Sequence, residues 1–258
     1  MSAVNLNGKT FIVIGAAGRL GKSIVSAALD GGANIIAVDR TEQALESLQE
    51  THRGNCNFLA MMGDITQALS IEKLIKFAEE RFGSLDGAVN TAYPRNENYG
   101  NSFFDVTYDD FCENLSLHLG GYFLFMQRCA KYSLEARKEF SLVNMSSIYG
   151  GMAPRFEVYA GTKMTMPVEY AAIKSALQHL VSYVTAYTKG SMFRVNCVSP
   201  GGIVAGQDQA FLDRYNSYCR AKGMLDAEDI VGAVLFLLSD SSRYICGQNI
   251  VVDDSFGT

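Results

Sequence analysis

The sequence of 258 residues contains no pair of cysteines in the CxxC spacing. Structural zinc sites use such pairs, and small secreted domains contain an even number of cysteines that pair as disulfides. Neither kind of site is indicated, and we predict no metal ion. The cysteines are expected to be free thiols in a reducing compartment; they are Cys56, Cys112, Cys129, Cys197, Cys219 and Cys246.

Basic charge is also scarce. Lysine and arginine number 22 against 27 aspartates and glutamates, which gives a formal net charge of −5. A partner with many phosphates needs a basic surface, so we expect neither a nucleic-acid nor a membrane partner. Met1 to Gly8 lacks the pattern of a secretory signal, and no apolar run approaches the roughly 20 residues of a membrane span. We therefore expect a cytoplasmic protein.

No repeat, low-complexity tract or linker divides the chain, and residues 1–258 are predicted to form a single domain. Short apolar runs alternate with helix-period stretches, a pattern typical of a doubly wound, Rossmann-type parallel α/β sheet of about seven strands with helices on both faces. Strands are predicted at 10–15, 34–38, 57–61, 85–90, 140–145, 192–198 and 249–252, and helices near 20–31, 69–82, 107–132, 168–189 and 227–239. The polar segment 204–224 has neither period and is predicted to be a flexible excursion over the substrate site.

A glycine-rich stretch joins the first predicted strand to the first predicted helix. Glycines at such a turn let the backbone approach a pyrophosphate, which then faces the N–H groups at the helix N-terminus. A GxxGxxG pattern alone is weak, but its place between strand and helix favours dinucleotide binding. The predicted cofactor loop contains Gly15, Gly18, Arg19, Leu20 and Gly21.

Asp39 ends the second predicted strand, eighteen residues after Gly21. A carboxylate at this place in a Rossmann unit accepts hydrogen bonds from the adenosine ribose, which favours NAD. Arg19 and Arg40 leave NADP open, because a guanidinium can hold its 2′-phosphate.

Two YxxxK patterns compete for a catalytic role, Tyr159 with Lys163 and Tyr170 with Lys174. Side chains four residues apart share a helix face, where an ammonium group can act on a phenol. Tyr170 begins a long helical pattern after Pro167, whereas the first pair lies before that proline. The second pair is therefore predicted to be catalytic.

From Thr10 to Asp254 the chain resembles the short-chain dehydrogenases/reductases. The resemblance rests on Asn90-Thr91-Ala92, on Asn144 to Gly150, on Arg194 to Gly201 and on Gly247-Gln248-Asn249. It implies reversible oxidation of a secondary alcohol to a ketone with a nicotinamide cofactor, and a homodimer or homotetramer. It implies that Ser147 is catalytic, and that the cofactor contacts Asp64, Ile65, Asn90, Ala92, Tyr170, Lys174, Pro200, Gly201 and Ile203.

A phenol with a pKa of about 10 exchanges protons poorly at neutral pH unless a cation stabilises the phenolate. Lys174 is expected to supply that charge, while Ser147 binds the substrate oxygen and Tyr170 exchanges its proton. His118 stands where the resembled family usually has an asparagine, and we predict that it takes part in the proton relay.

A narrower resemblance is to the short-chain oxidoreductases of bacterial flagellin modification, in pathways towards legionaminic and related nonulosonic acids. It rests on segments 93–100, 113–123 and 161–170. It implies a sugar substrate, and we predict that an anionic group of the sugar is bound by loops at the carboxyl edge of the sheet. Two alternatives remain: a sugar epimerase or dehydratase without net redox, and a cofactor-binding interaction subunit. The predicted substrate residues are Arg95, Arg155, Tyr159 and Lys163.

Overall fold

The computed structural model describes residues 4–258, and its centre is one seven-stranded sheet. Every strand pair is parallel. Such strands are buried on both faces, which explains their short and almost continuously apolar sequences. The strands are β1 (Thr10–Ile14), β2 (Asn34–Asp39), β3 (Phe58–Met62), β4 (Gly87–Asn90), β5 (Phe140–Met145), β6 (Phe193–Pro200) and β7 (Asn249–Val252).

Helices cover the two faces of this sheet. They are α1 (Arg19–Asp30), α2 (Glu42–Thr51), α3 (Ala68–Phe82), α4 (Tyr108–Asn114), α5 (Gly121–Ala136), α6 (Val168–Tyr187), α7 (Gln209–Asn216) and α8 (Ala227–Leu238). One apolar cluster packs α1 and α8 against the sheet, and a second packs α3, α5 and α6 against the opposite face. Among residues 4–258, no helix is long and apolar enough to cross a membrane. The predicted doubly wound α/β fold is thus confirmed.

The strand order in the sheet is β3-β2-β1-β4-β5-β6-β7. The chain adds β2 and β3 on one side of β1 and then β4 to β7 on the other side, so the order of addition reverses between β1 and β4. The carboxyl ends of these two strands are aligned, with Ile14 beside Asn90. Loops leaving neighbouring strands in opposite directions open a crevice at such a point, and α/β proteins bind ligands there. The fold therefore places a cleft where the glycine-rich loop leaves β1.

Two helical predictions need correction. The stretch predicted as one helix near 107–132 consists of α4, a π-helical segment at Leu115–Gly120 and α5. The segment 204–224, predicted without regular structure, contains α7, because Phe211 and Tyr215 give that short helix an apolar face that is buried. Such a two-residue apolar face is too short to show a period in the sequence.

The C-terminal segment packs against α7 and the turn that follows it. Phe256 is fully buried and stacks on Tyr215, with 4.0 Å between ring centroids. The Asp254 carboxylate accepts hydrogen bonds from the backbone N–H groups of Ala221, Lys222 and Gly223, at 3.0, 2.6 and 2.8 Å. The end of the chain thus fixes the segment that flanks the cleft.

Candidate active site

The glycine-rich loop after β1 is shaped by its glycines. Gly15 has φ +72°, and a Cβ on Gly21 would lie 2.2 Å from the Gly15 carbonyl oxygen. The first residue is in the left-handed region that favours glycine, and the second allows α1 to begin directly against the loop. Gly18 caps α1 without a side-chain hydrogen bond, and the first turn holds no acidic residue. Its N–H groups therefore suit the negative charge of a pyrophosphate.

Asp39 lies at the carboxyl end of β2, and its carboxylate faces the same loop. Its Oδ2 accepts from the Ala17 N–H at 3.0 Å and its Oδ1 from the Arg40 N–H at 2.8 Å. The Arg40 guanidinium lies 3.9 Å from the Asp64 carboxylate. Arg40 is thus held by an acidic neighbour, while the Asp39 carboxylate is fixed at the rim of the cleft.

The other residues predicted to contact the cofactor follow one edge of the sheet. Asp64 and the buried Ile65 come just after β3, Asn90 ends β4, and Pro200 ends β6. The Asn90 side chain accepts from the Ala92 N–H at 3.1 Å, which turns the chain sharply as it leaves β4. The structure therefore brings to one edge Gly15, Gly18, Arg19, Leu20, Gly21, Asp39, Arg40, Asp64, Ile65, Asn90, Ala92, Pro200, Gly201 and Ile203.

Helix α6 carries both members of the second YxxxK pair. It begins at Val168, after Pro167, so Tyr170 lies in its first turn and Lys174 one turn later. The Lys174 ammonium donates to the Met145 carbonyl oxygen at 2.8 Å and lies 5.5 Å from the centre of the Tyr170 ring. Burial lowers the pKa of Lys174 to about 7 and raises that of Tyr170, whose hydrogen bond with Ser147 opposes the rise.

Ser147 follows β5 and is nearly buried, at 5 % exposure. Its hydroxyl accepts from the Tyr149 N–H at 3.2 Å and opposes the rise in the pKa of Tyr170. Sequence reasoning did not single out Gln178, whose side-chain amide donates to the Ser147 carbonyl oxygen at 3.0 Å and to the Ser146 hydroxyl at 3.1 Å. The signal available was its place one helical turn after Lys174.

His118 lies in the π-helical segment between α4 and α5. Single π turns within helices often occur at functional sites. The imidazole is 1 % exposed, and its Nε2 lies 3.3 Å from the Lys174 ammonium, so Nε2 accepts and Nδ1 carries the proton. Burial first, and then the Lys174 charge, lowers the pKa of His118 to about 2. The ring is therefore neutral at physiological pH.

Further tyrosines lie around Tyr170. The Tyr93 ring meets Tyr170 edge to face at 5.7 Å and His118 at 5.2 Å, measured between centroids. The hydroxyls of Tyr93 and Tyr99 are 2.8 Å apart, and those of Tyr149 and Tyr159 are 3.4 Å apart. Burial is the leading cause that raises the pKa of the phenols around Tyr170, so they remain protonated donors; these are Tyr93, Tyr99, Tyr149 and Tyr159.

The four predicted substrate residues have different surroundings. Arg95 is exposed and stacks over the Tyr93 ring at 5.0 Å. Arg155 stacks over the Tyr218 ring at 4.4 Å and donates to the Phe256 carbonyl oxygen at 3.4 Å. Within residues 4–258, neither guanidinium forms a salt bridge, and each is held by a different aromatic group. Tyr159 is half-buried, and Lys163 is exposed in the loop before α6.

Comparison with known proteins shows similarity over nearly the whole chain. Residues 15–256 match the family described as enoyl-(acyl carrier protein) reductase. The post-translational flagellin modification protein A of Campylobacter coli is 37 % identical over 98 % of this chain and 99 % of its own length. Xanthoxin dehydrogenase of Arabidopsis thaliana is 29 % identical over 97 % of this chain and 90 % of its own.

The solved structures give the same result. A short-chain dehydrogenase from Leptospira borgpetersenii with bound NAD⁺ superposes with a TM-score of 0.86 at 28 % identity, covering 99 % of this chain and 95 % of that one. A short-chain dehydrogenase from Bacillus anthracis, at 23 % identity and a TM-score of 0.85, shares the fold. With a family match over nearly its whole length, this chain belongs to the short-chain dehydrogenases/reductases, a family of nicotinamide-dependent oxidoreductases.

Proposed function

We propose that this oxidoreductase interconverts a secondary alcohol and a ketone on a sugar precursor of bacterial surface or flagellin glycans, with Tyr170, Ser147 and Lys174 as its catalytic residues. The observation that carries the proposal is their convergence beside the cleft. The Ser147 hydroxyl lies close enough to Tyr170 to oppose the rise in its pKa, and Lys174 lies one turn along the same helix. A binding protein without redox chemistry would gain nothing from a phenol placed beside a buried ammonium.

The residues around the cleft fit a nicotinamide dinucleotide, which when bound supplies or accepts the hydride. Gly15 and Gly21 provide the close backbone approach, and the uncapped start of α1 provides donors for the pyrophosphate. The Asp39 carboxylate at the end of β2 would accept from ribose hydroxyls and repel a 2′-phosphate. We therefore propose NAD as the cofactor, with Arg19 and Arg40 as the groups that would have to accommodate NADP.

Each catalytic residue has a distinct role in this proposal. Ser147 donates to the substrate oxygen, Tyr170 gives or takes the proton at that oxygen, and the Lys174 ammonium stabilises the phenolate. His118 accepts from Lys174 through Nε2, and its Nδ1 has no partner within residues 4–258. This arrangement supports a relay that passes through the ring in its neutral form.

A sugar-type substrate is supported by the phenols and by the relative. Phenol hydroxyls can donate to sugar oxygens, and aromatic faces pack against the C–H surface of a sugar ring. The relative from Campylobacter coli is named for flagellin modification. We propose a place in legionaminic or related nonulosonic acid biosynthesis, in the cytoplasm, for a homodimer or homotetramer.

The test is a screen of the purified protein with NAD⁺ and NADP⁺ against sugar phosphates, amino sugars and nucleotide sugars, and with NADH against the corresponding keto sugars. We expect net change in NADH absorbance with one sugar class. A sugar converted without net NADH change would instead identify an epimerase or dehydratase. Cofactor binding without any turnover would favour an interaction subunit.

Arg95 is the proposed contact for an anionic group on that sugar. It is exposed at the carboxyl edge and has no acidic partner within residues 4–258. Arg155 and Lys163 were predicted to act with it, but Arg155 is engaged by Tyr218 and the C-terminal segment. Arg95→Ala should raise KM for a phosphorylated or carboxylated sugar more than for its neutral analogue, and Arg155→Ala should not. Equal KM values for charged and neutral sugars in the wild type would exclude an anion site.

A further inference from the structure

A polar network lies beside the catalytic helix, and its hydrogen bonds among residues 4–258 do not include Ser147, Tyr170 or Lys174. Its centre is Asn114, the last residue of α4, which is fully buried. The Asn114 Oδ1 accepts from the Asn96 N–H at 3.0 Å, and its Nδ2 donates to the Asn96 Oδ1 at 3.0 Å. The same Nδ2 donates to the Glu169 carboxylate at 3.4 Å. Three segments distant in sequence are thereby joined.

Glu169 is the deepest member of this network. It immediately precedes Tyr170 and is fully buried, yet its Oε2 has no hydrogen-bond partner within residues 4–258. Burial of a carboxylate costs free energy unless hydrogen bonds or an opposite charge compensate for the lost hydration. Within the described part of the chain, residues 4–258, Asn114 is the one residue that bonds the Glu169 carboxylate, and this bond attaches the end of α4 to the start of α6.

The other end of the network holds the loop after β4. The Asn96 side chain also donates to Asp110 at 2.9 Å and to Glu113 at 2.8 Å. This loop carries Tyr93 and Tyr99, whose hydroxyls bond each other beside Tyr170. The network therefore connects the first turn of the catalytic helix to the tyrosines that flank it.

We propose that Asn114 and Glu169 are positioning residues that hold this loop, so that the hydroxyls of Tyr93 and Tyr99 form a fixed wall that binds the hydroxyl groups of a sugar. The inference rests on the proposed function for its substrate class. Both phenols are kept protonated by burial, and a mutually bonded pair still has one hydrogen to donate to a ligand oxygen. Because the hydrogen bonds between Asn114 and Asn96 already fix this loop, it loses little conformational entropy when a ligand binds.

Two probes separate positioning from chemistry. D-glucosone and 2,3-butanedione share a vicinal dicarbonyl that NADH can reduce, with the hydride going to carbon and the proton to oxygen, but only the former carries ring-forming hydroxyls. For Asn114→Leu we expect at least a tenfold rise in KM for D-glucosone, less than a threefold change for 2,3-butanedione, and an unchanged NADH Kd. Glu169→Leu should have the same effects as Asn114→Leu. Glu169→Gln keeps an acceptor for Asn114, so its KM values should stay near those of the wild type. An equal effect on both probes would reduce the network to support of the fold and overturn the proposal.

Two further variants sharpen the result. Tyr99→Phe should raise KM for D-glucosone without loosening the loop, because only the hydroxyl is lost. Asn98→Leu is the matched control, since Asn98 lies in the same loop and, within residues 4–258, its side chain bonds the half-buried Asp110 and neither Asn114 nor Glu169; its KM values should equal those of the wild type. No effect of Tyr99→Phe on D-glucosone would overturn the role given to the phenol pair.

The loop itself can be tested without any substrate. Hydrogen exchange of segment 93–99, followed by mass spectrometry, should be at least tenfold faster in Asn114→Leu than in the wild type or in Asn98→Leu. This measurement judges the network even if the proposed reaction fails. Unchanged exchange in Asn114→Leu would overturn the positioning role.

Discussion

At the scale of single residues, the two YxxxK tyrosines make a matched pair for mutagenesis. Tyr170→Phe should lower kcat/KM by about 10²–10⁴, the usual contribution of general acid–base catalysis, with the fold and NADH affinity retained. Tyr159→Phe should retain most of the activity, because Tyr159 lies outside α6 and bonds Tyr149. Steady-state kinetics of the two variants on one substrate decides the assignment. Full activity in Tyr170→Phe would contradict it.

Burial of the Lys174 ammonium group is expected to lower the free energy of unfolding of the protein without cofactor. Burial lowers its pKa from 10.5 to about 7, so between these values the unfolded chain binds more protons than the folded one, and stability rises with pH. Below pH 7 Lys174 is charged in both states, and the folded protein is destabilised by the full free energy of burying the ammonium group. One pKa unit corresponds to about 1.4 kcal/mol, so the wild type should gain up to about 3 kcal/mol relative to Lys174→Met between pH 7 and pH 9.

Urea unfolding at the two pH values measures this difference. His118→Gln is a useful companion, because it keeps an acceptor near the ammonium while removing the imidazole. A gap between wild type and Lys174→Met that does not change with pH would show that the ammonium is not buried as described. Loss of activity in Lys174→Met is expected at both pH values.

At the scale of elements, the β1–α1–β2 unit decides the cofactor. Asp39→Ala should weaken NADH binding and strengthen NADPH binding relative to it, because the carboxylate that repels a 2′-phosphate is lost while Arg19 and Arg40 remain. The charge effect on a 2′-phosphate should be about tenfold or more in the ratio of the two Kd values, equal to roughly 1.4 kcal/mol. Fluorescence titration of both cofactors measures the ratio. Tighter binding of NADPH than NADH by the wild type would reverse the proposed preference.

The strands and helices also show which parts of the fold sequence patterns can predict. Every predicted strand exists, because a buried parallel strand leaves an uninterrupted apolar run of 4–8 residues. Helix α2 was not predicted, since only Leu45 and Leu48 are buried and its other positions are polar. The π-helical segment was missed because a single inserted residue leaves no periodic signal.

The site was predictable where spacing constrains it and not where folding brings residues together. Tyr170 and Lys174 share a helix face by their spacing alone. The hydrogen bond between Asn114 and Glu169 joins residues 55 positions apart, and no local sequence pattern predicts it. Arg155 likewise stacks over Tyr218, 63 positions away in the sequence, and no local pattern predicts this contact.

At the scale of the whole molecule, Asp254 links the C-terminal segment to the turn after α7. Its three backbone hydrogen bonds lower the pKa of the carboxyl, so its stabilisation is present above the ordinary pKa of about 4 and is lost as the pH falls through the lowered value. Asp254 and Ser255 both have left-handed φ angles, 50° and 66°, which the bonds help to hold.

Asp254→Asn should therefore have a lower melting temperature than the wild type at pH 7, and the difference should be smaller at pH 3. It should also exchange amide hydrogens faster at residues 217–224. Thermal melts at both pH values and exchange mass spectrometry make the comparison. A difference in melting temperature that persists undiminished at pH 3 would show that the carboxylate charge is not responsible.

The position of these contacts in the chain has a consequence for synthesis. A protein leaves the ribosome from its N-terminus, and the segments made first fold first. The glycine-rich loop, Asp39 and Asn90 lie in the first 90 residues, whereas Pro200 at the end of β6, and the Asp254 and Phe256 that contact the segment around α7, are made much later. A nascent chain can thus form the β1–α1–β2 part of its nucleotide site before the segment around α7 meets Asp254 and Phe256.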